Sequence, residues 1–135
     1  MILVDTSAWV EYVRGTGSDV DTRVAGLIAD GADIAVTEPV LMELLAGATD
    51  ENHWSQLRRL LTSFTWIPIN ATGDFEGAAT LYRSLRSAGI TPRGLIDCMV
   101  AVIALRSGAA ILATDKDFAR IASVVPLQLD IATTT

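Results

Sequence analysis

The sequence predicts an α/β fold, with a central parallel sheet flanked by helices in a three-layer sandwich. Three observations predict it. Short runs such as Ile2-Leu3-Val4, Ile34-Ala35-Val36 and Ala109 to Thr114 are apolar throughout, as strands covered on both faces must be. Segments with apolar residues three or four apart lie between them, the period of a helix packed along one side. The chain has 135 residues, enough for one hydrophobic core, so residues 1–135 are expected to form a single domain.

Element by element, Ile2-Leu3-Val4 ends at Asp5-Thr6-Ser7, a helix-start signal, and Ala8 to Arg14 follows as the first helix, closed by Gly15 and Gly17. Val20, Val24, Leu27 and Ile28 mark a second helix that Gly31 stops. After the strand Ile34-Ala35-Val36, Glu38-Pro39 opens a third helix through Glu43 to Gly47, proline being tolerated in a first turn. Trp54, Leu57, Leu60, Leu61 and Phe64 mark a fourth. Thr65 to Ile69 reads as a third strand, placed at an edge by Pro68. Phe75, Ala78, Tyr82 and Leu85 give a fifth helix ending near Gly89. The most apolar helix, Leu95 to Arg106, comes next, then the strand Ala109 to Thr114. Asp115-Lys116-Asp117 opens a short helix through Ile121, Val124 to Leu129 reads as a last short strand, and Thr133 to Thr135 is expected to fray.

Composition narrows the function. Half the residues are apolar and 19% are charged, with mean hydropathy +0.40, too apolar for a disordered chain. The longest charge-free apolar run, Cys98 to Leu105, is far short of the roughly 20 residues of a membrane span. The first residues lack the basic and apolar regions of a signal peptide, so a cytoplasmic protein is expected. One cysteine excludes an internal disulfide and a multi-cysteine zinc site, and one histidine, His53, excludes catalysis by a histidine pair. His53 reads as a surface residue and Cys98 as core. The net charge of −6 argues against nucleic-acid binding driven by charge alone. Every cation except Lys116 is an arginine, however, and arginine forks grip phosphate.

The informative residues are carboxylates. Asp5 and Asp115 each follow a buried strand, where open α/β sheets bind ligands. Each also suits a helix N-cap, and both roles stay open. Asp97 lies among Leu95, Ile96, Cys98, Met99 and Val100, where an ionised carboxylate is costly unless paired or bound to a metal. A first-turn acid favoured by the helix dipole is its other reading. Glu43 sits in a similarly apolar stretch, or else on the one wet face of its helix. Asp117 is either a cap or a further acid beside Asp115. Converging at one point of the sheet, these acids would repel one another unless a divalent cation held them. All-oxygen ligands suit Mg²⁺ or Mn²⁺, ions that activate water and stabilise displacement at phosphorus. Ser7 and Thr114 can supply hydroxyls at the rim. Trp9, Tyr12 and Val13 are either core or the wall of a groove for a partner.

The order and setting of these acids resemble a PIN-domain ribonuclease of the VapC type, the toxin half of a bacterial type II toxin–antitoxin pair. The resemblance rests on Ile2-Leu3-Val4-Asp5-Thr6-Ser7-Ala8, Thr37-Glu38-Pro39-Val40 to Glu43-Leu44-Leu45-Ala46-Gly47, Ile96-Asp97 in its apolar helix, and Ala113-Thr114-Asp115-Lys116-Asp117-Phe118. It implies a Mg²⁺- or Mn²⁺-dependent endoribonuclease of PIN-like fold, with Asp5, Glu43, Asp97 and Asp115 as the catalytic, metal-holding quartet. Asp117, Ser7 and Thr114 would support them. It further implies a homodimer, a small VapB-type antitoxin that covers the active site, and an RNA substrate, most often tRNA. A metal-activated water would leave 5′-phosphate and 3′-hydroxyl ends. The acidic balance then asks for a local cationic surface, either from Arg14, Arg83, Arg86 and Arg93 or from dimerisation, with Arg93 and Arg14 the expected substrate contacts.

Two other readings compete. A phosphatase or phosphoacceptor domain would also use an aspartate after the first strand. The haloacid-dehalogenase type wants a second aspartate where this chain has Ser7, and a receiver domain wants an acidic pair there and a late lysine, which only Lys116 matches. A catalytically inactive module keeping the fold for binding is the other, against which all four acids stand.

Overall fold

In a computed structural model covering residues 1–135, four strands form one parallel sheet: β1 (Ile2–Val4), β2 (Ile34–Val36), β3 (Thr65–Trp66) and β4 (Ala110–Leu112). Their order across the sheet is β3-β2-β1-β4. Leu3, Val4, Ile111 and Leu112 are wholly buried, as are Ala35 and Val36. Neighbouring strand residues point to opposite faces, so both faces are covered, as the unbroken apolar runs require.

Seven helices supply that cover: α1 (Thr6–Arg14), α2 (Asp19–Ala29), α3 (Glu38–Ala46), α4 (Glu51–Leu61), α5 (Ala71–Ser87), α6 (Leu95–Ser107) and α7 (Asp117–Ala122). Ser18 and Asp50 cap α2 and α4 by accepting from the backbone N–H of Asp21 and His53. Gly15 ends α1 in the left-handed conformation (φ 62°) that L side chains adopt only under strain. A single cluster of 30 buried residues joins the sheet to the helices, with Trp9, Phe118 and Leu85 among its largest members. No helix is long and apolar enough to cross a membrane.

Three expectations are corrected. The third strand stops at Trp66 instead of reaching Ile69, because Ile69 donates its N–H to the Glu38 carboxylate and Pro68 has none to give. It does lie at an edge. The strand expected over Val124 to Leu129 reduces to one parallel bridge, Leu129 beside Ile111. The tail does not fray. Asp130 accepts a two-pronged contact from Arg23 (2.8 and 3.1 Å), Thr133 donates its hydroxyl to the Ile111 carbonyl (2.7 Å), and Thr134 donates its N–H to Ala113 (3.0 Å). The tail thereby covers the open edge of β4, which would otherwise present unpaired backbone groups.

The sheet order fixes where a site can form. From β1 the chain steps one way to β2 and β3, whereas β4 lies on the other side of β1. The order reverses between β1 and β4, and a crevice opens beyond the carboxyl ends of strands at such a switch point.

Candidate active site

Asp5 and Asp115 flank that crevice, one just beyond β1 and the other three residues beyond β4. Asp5 is both a cap and a member of the site. Its Oδ2 accepts from the Ser7 N–H (3.1 Å) and the Ser7 hydroxyl (2.7 Å), which caps α1. The same Ser7 oxygen accepts the Thr114 N–H at 3.0 Å. Ser7 thus ties the end of β1 to the end of β4, and Thr114 contributes its backbone there.

Asp5 is 4% exposed. Burial, the largest influence, lifts its pKa to about 6 against the two Ser7 hydrogen bonds, and the Glu43 charge adds to the rise. Asp97, in the first turn of α6, is lifted further. Burial and then the charges of Asp5, Asp115, Asp117 and Glu43 bring it to about 7, with no hydrogen bond acting the other way. Those influences place Asp97 in the field of four other acids. Carboxylate oxygens of Asp97, Asp115 and Asp117 all lie within 4.8 Å of one another.

Asp117 is 1% exposed and differs in character. Burial alone would raise its pKa. The Arg93 N–H (3.0 Å), the Arg120 guanidinium (2.6 Å) and the Arg93 charge carry it below the ordinary carboxylate value instead. Its own N–H donates to Asp115 Oδ1 at 2.9 Å. Asp117 is ionised and fully engaged, while Asp97 is surrounded by like charge and unengaged. Glu43, on the exposed side of α3, accepts the Thr6 hydroxyl at 2.7 Å.

Of the arginines expected near the acids, Arg93 alone reaches them, with Nη2 2.8 Å from Asp115 and Nε 3.6 Å from Asp117. Arg86 instead lies over the Tyr82 ring, 5.5 Å from its centre. Arg14 lines a groove beside the site together with Val10, Val13, Glu43, His53 and Leu57. His53 is half-buried in this groove instead of on the open surface, its Nδ1 accepting the Thr49 N–H (3.1 Å). Trp9 is core and Val13 is groove wall. Lys116 is exposed and pairs with none of the acids, so it does not serve as the lysine of a receiver-type site. Sequence reasoning missed Arg120, which its position three residues after Asp117 on one helix could have revealed.

The residues fit a divalent ion. An acid held protonated up to about pH 7 by burial and then by like charge has no counterion of its own among the side chains, and the acids grouped with it offer only oxygen, the donor of Mg²⁺ and Mn²⁺ sites.

The family model of the PIN domain matches residues 2–124. The chain is 45% identical over 129 residues to VapC ribonuclease Mb1587 of Mycobacterium bovis and to ribonuclease VapC11 of Mycobacterium tuberculosis, covering 95% of this chain and 96% of each. Its fold is similar to VapBC2 from Rickettsia felis bound to a promoter DNA fragment (TM-score 0.75, 24% identity, 96% of this chain and 98% of that one). It is also similar to VapC20 of Mycobacterium tuberculosis, a toxin that cleaves the sarcin-ricin loop (TM-score 0.64, 20% identity, 95% and 99%). The sheet order, the crevice acids and these matches agree: the chain belongs to the PIN-domain family.

Proposed function

We propose that this protein is a VapC-type endoribonuclease toxin that uses a divalent cation, Mg²⁺ or Mn²⁺, to hydrolyse RNA. The observation that carries the reading is Asp97, a carboxylate with four acidic neighbours and no positive partner of its own. Asp5, Glu43, Asp97 and Asp115 are the residues that would hold the ion. When bound, it supplies a water activated near neutral pH and positive charge at the phosphoryl group under attack.

The chain's own residues do the rest. Ser7 fixes the Asp5 carboxylate and the turn after β4 in one hydrogen-bonded unit. Asp117 orients Asp115 through its N–H and anchors the loop at Arg93. Burial of Asp5 keeps bulk water from one side of the site. Arg93 brings positive charge to the rim, and Arg14 brings more along the groove.

The substrate is tRNA, whose loops expose unstacked bases to a protein with no groove-reading helix. Residues 1–135 work as one domain in the cytoplasm. A VapB-type antitoxin is the partner, its covering segment lying in the groove between α1, α3 and α4. The likeness to the VapBC2 complex of Rickettsia felis supports that partner. A second copy pairs through the apolar surface that Met42 and Phe75, each more than half exposed, share with Ile69 and Met99.

Metal-stripped, antitoxin-free protein incubated with total tRNA tests the reading. Cuts that appear on adding Mg²⁺ or Mn²⁺ and vanish in Asp97→Asn support it. Intact tRNA alongside cut ribosomal RNA would correct the substrate, and intact RNA of both kinds would refute the nuclease.

A further inference from the structure

The contacts of Arg93 divide unequally between the two acids it touches. Its backbone N–H is committed to Asp117, so the residue stays in place whatever its side chain does. Asp117 has a second guanidinium, Arg120 at 2.6 Å, and loses little if the first departs. Asp115 has only the Arg93 guanidinium, at 2.8 Å, besides one backbone N–H. The Arg93 side chain is 76% exposed, so this pair has one end in water and is easily exchanged. Asp115 is also one of the three acids whose oxygens lie within 4.8 Å of one another. A divalent ion among those oxygens would sit a few ångströms from the guanidinium, and like charges that close repel.

We propose that Arg93 is an exchangeable counterion: it neutralises Asp115 while no divalent ion is bound, yields that carboxylate to the ion, and then turns its freed guanidinium to a backbone phosphate of the RNA. The inference rests on the metal-dependent ribonuclease reading above. The ion pair offsets part of the repulsion among the acids before the ion arrives. It also couples the two ligands: the ion releases a phosphate grip that the resting site holds occupied. Arginine suits this better than lysine, because its planar fork matches both a carboxylate and a phosphate.

Mn²⁺ titration followed by electron paramagnetic resonance tests the exchange without relying on activity. Arg93→Gln keeps the backbone contact to Asp117 and removes the competitor, so it tightens Mn²⁺ binding by about fivefold, the scale of one exposed ion pair. Lys116→Gln removes an equal charge beside Asp115 without touching a carboxylate, and changes binding by less than about twofold. In parallel, labelled bulk tRNA is titrated in Ca²⁺ across a range of salt. There Arg93→Gln lowers the salt slope by about 0.7, one single-strand phosphate contact, and leaves it unchanged when Ca²⁺ is omitted. Arg93→Lys, which keeps the charge, stands in should the glutamine variant fold poorly, with a smaller shift in the same direction. Equal Mn²⁺ affinity in the wild type and Arg93→Gln overturns the exchange alone. Equal tightening by both charge removals also overturns it, since a general field would then explain the effect. No Mn²⁺ binding to the wild type would remove the metal reading and the exchange with it.

Discussion

The Ser7 hydroxyl stands between Asp5 and Thr114, donating to the Asp5 carboxylate at 2.7 Å and accepting the Thr114 N–H at 3.0 Å. Two neighbouring strands of the sheet are joined at their carboxyl ends by this one oxygen, through a contact between residues 107 apart in sequence. Ser7→Ala leaves a part-buried N–H and a buried carboxylate each short of a partner. The expected costs are about 1–2 kcal/mol of stability by denaturant titration and about 10- to 100-fold in RNA cleavage rate. A loss of stability with undiminished cleavage would show that Ser7 only caps its helix.

The raised acids make stability depend on pH in an unusual direction. Asp97 and Asp5 titrate at about 7 and about 6 in the fold, against 3.8 for an ordinary aspartate. Between about pH 4 and 7 the folded chain therefore binds more protons than the unfolded one, and stability from these two groups falls as pH rises through that window. Asp74, Asp117 and Asp130 have lowered values, so their contribution is lost only as pH falls below the ordinary carboxylate range. Metal-free protein is expected to melt at a higher temperature near pH 5 than near pH 7.5, and saturating Mg²⁺ is expected to remove much of that difference. Asp97→Asn flattens the same profile and raises metal-free stability at pH 7.5 by about 1–2 kcal/mol, screening by solvent being allowed for. Calorimetry at the two pH values decides it.

Away from the crevice, Arg106 grips Asp74 with two contacts of 2.8 Å and also donates to the Pro68 carbonyl, clamping α6 to the start of α5. Asp74 is 1% exposed. Asp74→Ala strands the guanidinium, and the expected loss is about 2–3 kcal/mol because part of Arg106 remains in water. Cleavage per folded molecule, measured well below the melting range, should stay near the wild-type value.

The groove yields a separate test of the partner. Val13 is 41% exposed on its wall and is not one of the five acids. Val13→Glu places a charge where an apolar segment would dock, beside Glu43, and is expected to weaken binding of a VapB-type antitoxin by at least about tenfold. RNA cleavage by the free toxin should be kept. Unchanged affinity by calorimetric titration would move the antitoxin to another face.

The site was legible in the sequence where a residue's type conflicted with its surroundings. Asp97 stands out in an apolar helix, and Asp5 and Asp115 follow runs too apolar to be anything but buried strands. Local pattern carries that much. What it could not carry depends on residues brought together from afar. Thr133 and Thr134 look like a polar tail, and only the open edge of β4 gives their hydrogen bonds a place to go. Asp130 reads as a stray acid until Arg23 lies against it. Asp117 reads as a cap or a further acid beside Asp115, and only the fold brings Arg93 and Arg120 together to hold it as a buried anion. Pro68 marked the edge correctly but not how soon pairing would end, since that depends on Glu38 taking the Ile69 N–H.

The most direct measurement is the chemistry of the cut ends. Metal-stripped protein and Asp97→Asn would each be given RNA with and without Mn²⁺, and the fragments tested for 5′-phosphate and 3′-hydroxyl groups. The acids and the single half-buried histidine predict 5′-phosphate ends that form only with the ion and not in the variant. Cleavage that persists without metal, or that leaves cyclic phosphate ends, would contradict a site built to hold a divalent cation.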